Sequence, residues 1–257
     1  MSPAAAEAQL EEVLVACRRL RLKYVREELE ELTRTARAQR WDPLELLRVL
    51  FQAEVEGRDR STTELRRRRA RFPSGKTFDI WDEGRSSIAP VTQRALRSLE
   101  WVARHENLVV AGPSGTGKSH LIEAIGQSAV EKGLSVSWFS VEDLGILVRR
   151  HRVDDSVSKA FTQLAGAALV LVDDIGLLPI SSDAAEGLYR LVDARYERGS
   201  IALSSNLHPS GFDQLMERTI ASALVDRLLH HAHVVVTDGE SVRLADATSG
   251  KGVTPLS

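Results

Sequence analysis

One segment constrains the fold of this chain more than any other: Gly112-Pro113-Ser114-Gly115-Thr116-Gly117-Lys118-Ser119, which has the full G-x-x-x-x-G-K-S spacing. It follows the apolar run 108–111 and precedes apolar residues at helical spacing. Glycines in such a loop let backbone N–H groups curl around phosphates, and the helix that follows directs the positive end of its dipole at them. The segment therefore predicts an α/β domain that binds a nucleoside triphosphate.

The polar residues of this loop have separate expected roles. Lys118 is expected to reach the β and γ phosphates, and the Ser119 hydroxyl is expected to ligate Mg²⁺. The alternative, a chance glycine-rich turn, does not explain why a strand precedes the loop and a helix follows it. The predicted nucleotide-binding residues are Gly112, Pro113, Ser114, Gly115, Thr116, Gly117, Lys118, Ser119 and His120.

The spacing of apolar residues changes after about the first hundred residues of the chain. The first 70 residues have apolar positions at three- and four-residue spacing and predict helices. From Asn107 onward, short apolar runs alternate with helical segments, as in a parallel sheet covered by helices. Five parallel strands are predicted, at 108–111, 135–139, 168–172, 201–205 and 234–237. The predicted organisation is an all-helical domain at 1–72, a linker at 73–90, an α/β domain at 91–245 and a flexible tail at 246–257.

Polar residues follow two of the predicted strands. Asp173 and Asp174 come directly after the apolar run 168–172, where a parallel sheet places residues of its ligand crevice. Asp173 suits a Mg²⁺-associated role, and Asp174 suits a base that polarises the attacking water. Alternatively, the two carboxylates cap the helix that follows. Asn206 ends the next strand and could hold that water or read the γ-phosphate, although asparagine is also a common turn residue.

An arginine further along the chain is a candidate catalytic residue. Arg227 lies about twenty residues after that strand, in an otherwise apolar helical segment. An arginine finger stabilises the charge that develops on the transferred phosphate, and a neighbouring subunit can supply it. The alternative is a surface salt bridge with a nearby acid.

Basic residues are concentrated in the first part of the chain. Residues 1–105 contain 21 Lys and Arg against 17 Asp and Glu, while the net charge of the whole chain is −2. A phosphate backbone would be attracted to such a region, although a solvated helix end is an alternative. The candidate DNA-binding residues are Arg66, Arg67, Arg68 and Arg69, with a second cluster at Arg149 and Arg150.

The order of these motifs resembles the AAA+ ATPases, and within them the DnaC-like and IstB-like group. The resemblance extends from about Leu10 to Ala245. The segments that resemble the IstB-like transposition helpers are the basic stretch 66–73, Glu106-Asn107-Leu108, Asp173-Asp174-Ile175-Gly176 and Ser205-Asn206-Leu207.

This resemblance implies an ATPase that uses ATP and Mg²⁺, coats double-stranded DNA as a homo-oligomer in its ATP-bound state and assists the transposase of the same insertion sequence. It implies Mg²⁺ binding by Ser119 and Asp173, water activation by Asp174, sensing by Asn206 and a trans-acting finger at Arg227. Most AAA+ proteins have Glu where this chain has Asp174, so the resemblance does not give the rate of ATP hydrolysis. Only 30 residues follow Arg227, so no C-terminal helical lid is expected.

Two other functions remain open from the sequence. A DnaC-like loader of a replicative helicase would share the ATPase core. A P-loop kinase would share the phosphate-binding loop, but the chain lacks an arginine-rich lid that could close over two substrates. A kinase should not respond to DNA, whereas a transposition helper should.

The remaining features concern compartment and metals. The single cysteine, Cys17, cannot form an internal disulfide, and no apolar run is long enough to cross a bilayer. A cytoplasmic protein with no membrane partner is therefore expected. The closely spaced His230, His231 and His233 lack a carboxylate at an obvious ligand spacing, so we interpret them as ordinary histidines.

Overall fold

The computed structural model describes residues 3–245 except 154, 155, 177 and 243, with side chains described from residue 7 onward. The chain divides into two compact units, Met1–Leu65 and Arg66–Ser257. The predicted tail at 246–257 lies outside the described residues. In the part that the structure describes, no helix is both long enough and apolar enough to cross a membrane.

The first unit is built from helices. They are α1 (Pro3–Arg19), α2 (Lys23–Gln39) and α3 (Pro43–Ala70), and the last residues of α3 belong to the second unit. α3 starts at Pro43, where the side chain of Asp42 accepts a hydrogen bond from the N–H of Leu44 at 2.9 Å. The small apolar core contains Cys17, Val25, Leu29 and Leu50.

A buried carboxylate links α2 and α3 in this unit. Glu54 is 5% exposed and accepts hydrogen bonds from the N–H groups of Tyr24 and Val25 at 2.7 and 2.9 Å. These N–H groups lie in the first turn of α2 and have no partner within the helix. Burial favours a higher pKa for Glu54, but hydrogen bonds from Arg58 and from the two N–H groups outweigh it and lower the pKa.

The second unit contains the five-stranded parallel sheet that the sequence predicts. Its strands are β1 (Asn107–Ala111), β2 (Val136–Ser140), β3 (Leu169–Ile175), β4 (Ser200–Ser205) and β5 (Ala232–Val236). Their order across the sheet is β2-β3-β4-β1-β5, and every neighbouring pair is parallel. The carboxyl ends of all strands therefore lie at the same edge of the sheet.

Helices cover both faces of this sheet. Side chains alternate along β1, where Leu108 and Val110 join one apolar cluster and Val109 joins the other. The first cluster includes Leu121 and Ile125, and the second includes residues of four other helices. The helices are α4 (Pro90–Ser98), α5 (Glu100–Ala103), α6 (Lys118–Glu131), α7 (Val141–Arg152), α8 (Val157–Leu164), α9 (Ser182–Arg195) and α10 (Arg218–Leu229).

The segment predicted as a linker packs against the second unit. It forms two short 3₁₀ turns, Phe78–Ile80 and Glu83–Arg85, and Phe78 and Ile88 are buried in the same cluster as α6. Apolar side chains spaced along an irregular segment explain this packing, because each of them removes hydrophobic surface from water. The predicted domain boundaries at residues 72, 90 and 245 remain predictions.

Candidate nucleotide-binding site

The phosphate-binding loop connects β1 to α6 and approaches other backbone so closely that glycine is required. Gly112 has φ +150°, and a Cβ there would lie 2.2 Å from the carbonyl oxygen of Thr237. Gly115 has φ +87°, and its Cβ would lie 2.1 Å from the Ser241 hydroxyl. Any larger side chain would displace the chain that follows β5, because real Cβ atoms do not come this close to other atoms.

Hydrogen bonds fix the shape of the loop. The Thr116 hydroxyl donates to the carbonyl of Pro113 at 2.9 Å and lies 2.7 Å from the hydroxyl of Thr237. Lys118 is 7% exposed, and its ammonium also donates to the Pro113 carbonyl, at 2.7 Å. The loop therefore holds its lysine in place by bonds within the loop itself.

A cluster of oxygen atoms lies at the start of α6. The Ser119 hydroxyl donates to Asp173 Oδ1 at 2.9 Å. The hydroxyl of Ser204, in β4, donates to the same carboxylate oxygen and accepts a hydrogen bond from the N–H of Asp174 at 3.1 Å. Carboxylate and hydroxyl oxygens are ligands that Mg²⁺ prefers. Ser119 and Asp173 therefore fit the ion that the sequence assigns to them.

A bulge in β3 sets the direction of Asp174. The β3–β4 register runs from Val172 opposite Leu203 to Ile175 opposite Ser205, so two residues of β3 face one residue of β4. Asp174 has φ +65° and is exposed. The expectation that the strand ends before the aspartates is wrong, since β3 continues to Ile175. Bulges of this kind redirect a side chain without ending the strand, and they are common beside active sites.

These residues line one cleft with a volume of about 440 Å³. The structure brings Lys118, Ser119, Asp173, Asp174 and Asn206 together there. The N–H of Asn206 donates to the carbonyl of Ile175 at 2.7 Å, which holds this residue at the end of β4. Of the predicted loop residues, Ser114, Gly115, Gly117 and His120 also line the cleft.

Sequence reasoning missed several residues of the same cleft. They are Pro73, Ser74, Lys76, Glu123, Ser204 and Val242. Glu123 could have been found, because its carboxylate interrupts the apolar run 121–125, and the structure leaves it 1% exposed. The polar run Ser204-Ser205 before Asn206 is a weaker sign of a site. Nothing local in the sequence places residues 73–76 or Val242 beside the loop.

A second cavity, of about 200 Å³, adjoins the phosphate-binding loop and is lined in part by Trp81, Gly117 and His120. The Trp81 and His120 rings meet edge to face with centroids 5.0 Å apart, and His120 Nε2 lies 3.0 Å from the carbonyl of Thr77. Burial is the largest cause of a lowered pKa for His120.

Arg227 does not line either cavity. It lies in the last turn of α10, where its Nε is 3.0 Å from a carboxylate oxygen of Asp193 and its guanidinium lies over the ring of Tyr189. The salt bridge that the sequence left as an alternative is therefore present. A catalytic role for Arg227 remains a prediction and requires the active site of another copy.

The candidate DNA-binding arginines have different environments. Arg67 is half-buried and donates to Gln127 at 3.0 Å and Glu131 at 3.3 Å on α6. Arg149 forms an ion pair with Asp183 at 3.4 Å. The arginine at position 66 is half-buried, and those at positions 68, 69 and 150 are exposed.

Two of the three clustered histidines lie beside a carboxylate that their sequence spacing does not reveal. Ligand atoms of Glu197, His230 and His231 all lie within 4.8 Å of one another, and all three residues are exposed. His233 is separate and lies 2.7 Å from Glu106. The fold brings Glu197 to His230 and His231 from beyond the end of α9, and the interpretation of these residues as ordinary histidines remains a prediction.

Comparisons with known proteins agree with this geometry. The family described as IstB-like ATP binding protein matches residues 15–249. A protein named as the ATP-binding protein of insertion sequence IS21 from Pseudomonas aeruginosa is 31% identical over 96% of each chain. A protein named for insertion sequence IS232 from Bacillus thuringiensis subsp. berliner is 32% identical over 79% of this chain and 82% of the relative.

Among solved structures, the replication initiator DnaA bound to AMPPCP and single-stranded DNA is similar, with a TM-score of 0.55 and 18% identity. The match covers 72% of this chain and 58% of that chain. This likeness shows the fold alone. With the parallel sheet and the phosphate-binding loop, it confirms the predicted AAA+ P-loop architecture.

Proposed function

The chain belongs to the family of IstB-like ATP-binding proteins of insertion sequences, and from this we propose that it hydrolyses Mg·ATP as the helper of a transposase. In this proposal, ATP-bound copies assemble on double-stranded DNA as a homo-oligomer. ATP hydrolysis then regulates target selection by the transposase of the same insertion sequence.

The observation that most supports hydrolysis is the pairing of Ser119 with Asp173 at the mouth of the loop, next to Asp174 in the same cleft. A bound Mg²⁺ would neutralise charge on the β and γ phosphates. Lys118 would exchange its bond to the Pro113 carbonyl for contacts to these phosphates. The proposal is supported by the position of Lys118, Ser119, Asp173 and Asp174 in one cavity, since phosphoryl transfer requires that groups with these roles act together.

Asp174 is the proposed base. Its exposed carboxylate lies beyond the Ser119–Asp173 pair on the bulged strand, where it can polarise a water molecule aimed at the γ-phosphate. Asn206, on the neighbouring strand, lines the same cleft and would help to orient this water. The second cavity beside Trp81 would receive the nucleotide base.

Arg227 is proposed to act on the nucleotide of a neighbouring copy. It does not line its own cleft, and it lies in the last turn of α10, before β5. The sheet is parallel, so this turn is near the amino ends of the strands, whereas the cleft is at their carboxyl ends. Assembly would exchange the Asp193 partner for the γ-phosphate and make hydrolysis dependent on assembly.

DNA binding is proposed for the exposed arginines. Arg68, Arg69 and Arg150 point to solvent, as contacts to a phosphate backbone require. Because arginine-to-phosphate contacts release counterions, the binding should be independent of sequence and should weaken steeply with salt.

The proposal is tested by measuring ATP turnover with and without duplex DNA, together with the size of the protein in ATP and in ADP. We expect DNA to stimulate turnover and ATP to promote assembly. Lys118→Ala should lose ATP binding by at least about 100-fold, since it removes the charge directed at the phosphates. The exposed Lys159 provides a control, and Lys159→Ala should bind ATP like the parent in the absence of DNA.

Equal ATP affinity in the parent and Lys118→Ala would refute nucleotide binding at this loop. An ATP turnover rate that duplex DNA does not change, together with a protein that stays monomeric in ATP, would refute the helper role. Recovery of a replicative helicase instead of the transposase in a pull-down would favour the helicase-loader alternative.

A further inference from the structure

Lys76 lies in a wall of the nucleotide cleft although the sequence places it in a linker. It is half-buried and lines the cleft together with Lys118 and Ser119. Among the described residues it forms no ion pair. His120 Nε2, in the first turn of α6, lies 3.0 Å from the carbonyl oxygen of Thr77, so the residue next to Lys76 is close to that turn.

The backbone around Lys76 is held by a buried carboxylate of α6. Glu123 Oε1 accepts hydrogen bonds from the N–H groups of Ser74 and Lys76, each at 3.2 Å, and Oε2 accepts from the Ser74 hydroxyl at 2.6 Å. Gly75, between them, has φ +68°, which lets the two N–H groups converge on one anion. Glu123 thus fixes residues 74–76 one helical turn beyond Ser119.

The charge of Glu123 needs an explanation, because a carboxylate in a cleft for phosphates disfavours the ligand. Three hydrogen bonds stabilise this anion where it is 1% exposed. An apolar residue would avoid both the desolvation and the repulsion. The arrangement is understandable if the segment that Glu123 holds brings a compensating positive charge, that of Lys76, into the cleft.

We infer that Lys76 is a second cation for the phosphates of the bound nucleotide and that Glu123 is the positioning residue that holds Lys76 in the cleft. This inference rests on the proposed binding of ATP at the loop. Lys76 would act as a flexible point charge, in addition to the loop lysine. Glu123 would contact no phosphate and would act only through residues 74–76.

The test is a titration of a fluorescent ATP analogue and of competing ATP and ADP. Lys76→Ala should raise the Kd for ATP about 10-fold, as expected for one charge-assisted contact. Lys76→Arg should keep the Kd within about 3-fold of the parent, because it keeps the charge. The control Lys159→Ala should leave the Kd unchanged.

Glu123 is tested by Glu123→Ala and the double variant with Lys76→Ala. If Glu123 acts by positioning Lys76, both single variants raise the Kd similarly and the double variant binds no more weakly than Lys76→Ala. Circular dichroism and a thermal melt without nucleotide check folding. Should Glu123→Ala not fold, Glu123→Leu takes its place, since it fills a similar volume but cannot accept the hydrogen bonds from residues 74 and 76.

The outcomes separate this inference from the proposed function. Parent-like ATP binding by Lys76→Ala, with binding lost in Lys118→Ala, would overturn the role of Lys76 and leave the ATP site intact. Parent-like binding by both variants would overturn both. Additive losses in the double variant would overturn the positioning role of Glu123 alone.

Discussion

The two ends of the parallel sheet bury polar groups in opposite ways. At the carboxyl ends, Lys118, Ser119 and Asp173 line an open cleft. At the amino ends of β3 and β4, a single buried guanidinium forms hydrogen bonds to the backbone. Arg195 is 2% exposed and donates to the carbonyls of Ala165, Ala167, Ala168 and Ser200 at 2.7–3.0 Å.

The difference shows how one sheet separates stability from binding. Burial lowers the pKa of Arg195 to about 10, which still leaves the group charged at neutral pH. Four carbonyl dipoles stabilise that charge, and among the described residues no carboxylate forms an ion pair with it. The polar groups at the carboxyl ends instead retain donors and acceptors that a ligand can use.

The largest expected effect concerns Arg227, near the amino ends of the strands, which is proposed to contribute to catalysis in a neighbouring copy. Arg227→Ala should bind ATP normally and lower DNA-stimulated turnover about 10³-fold, because a finger stabilises charge only in the transition state. Mixing Arg227→Ala with Asp174→Asn should restore part of the activity, since one variant supplies the base and the other supplies the finger. A mixture that stays inactive, with mixed assembly shown by crosslinking, would contradict a trans-acting role.

A second prediction concerns Arg195, at the amino ends of β3 and β4. Arg195→Met should lower the free energy of unfolding by about 3 kcal/mol, because it leaves buried carbonyls without donors. Arg190, on the same helix, is bonded to Glu186 but more exposed, and Arg190→Met should change the stability by about 0.5 kcal/mol or less. Urea unfolding measures both. Similar losses in the two variants would refute the special role of the buried guanidinium.

The third prediction concerns Asp174, in the cleft at the carboxyl ends of the strands. Asp174→Asn should keep the Kd for Mg·ATP within about 2-fold and lower turnover about 100-fold, because the amide keeps the shape but not the basicity. Its melting temperature should match that of the parent, since Asp174 is exposed and its backbone N–H still bonds to Ser204. Unchanged turnover would show that another group activates water.

The fourth prediction separates DNA contacts from structural arginines. Arg69→Ala should lower the slope of log K against log salt concentration by about 1, as expected for one lost phosphate contact. Arg67→Ala removes the bonds to Gln127 and Glu131 and should change the stability more than the slope. Filter binding to duplex DNA at several salt concentrations decides this. An unchanged slope for Arg69→Ala would mean that this residue is only solvated.

The smallest expected effect concerns acid stability at the amino ends. Hydrogen bonds from Arg104 and then His233 lower the pKa of Glu106 to about 2, from an ordinary value of 4.5. The lower pKa contributes stability that is complete above pH 4.5 and is lost as the pH falls towards 2. Glu106→Gln should therefore flatten the decline of stability over this range. An identical decline in the variant would assign acid sensitivity to other carboxylates.

The sequence predicted the parts of the molecule whose structure depends on neighbours in the chain. The phosphate-binding loop is a local strand–loop–helix unit, and its glycines and Lys118 are recognisable from spacing alone. Alternation of apolar runs predicted the five strands to within a few residues. The end of β3 was misplaced, because a bulge at the two aspartates depends on pairing with β4.

The sequence by itself determined the fold class, the family and the chemical type of the loop. Tertiary structure alone decided which distant residues meet that loop: Ser204 bonds Asp173 because β3 and β4 are neighbours, and Glu123 holds Lys76 because residues 73–88 pack against α6. It also decided that Arg227 lies apart from its own cleft and that Glu197 lies beside His230. These contacts join residues far apart in the chain, so the strand order and packing that create them have no counterpart in local spacing.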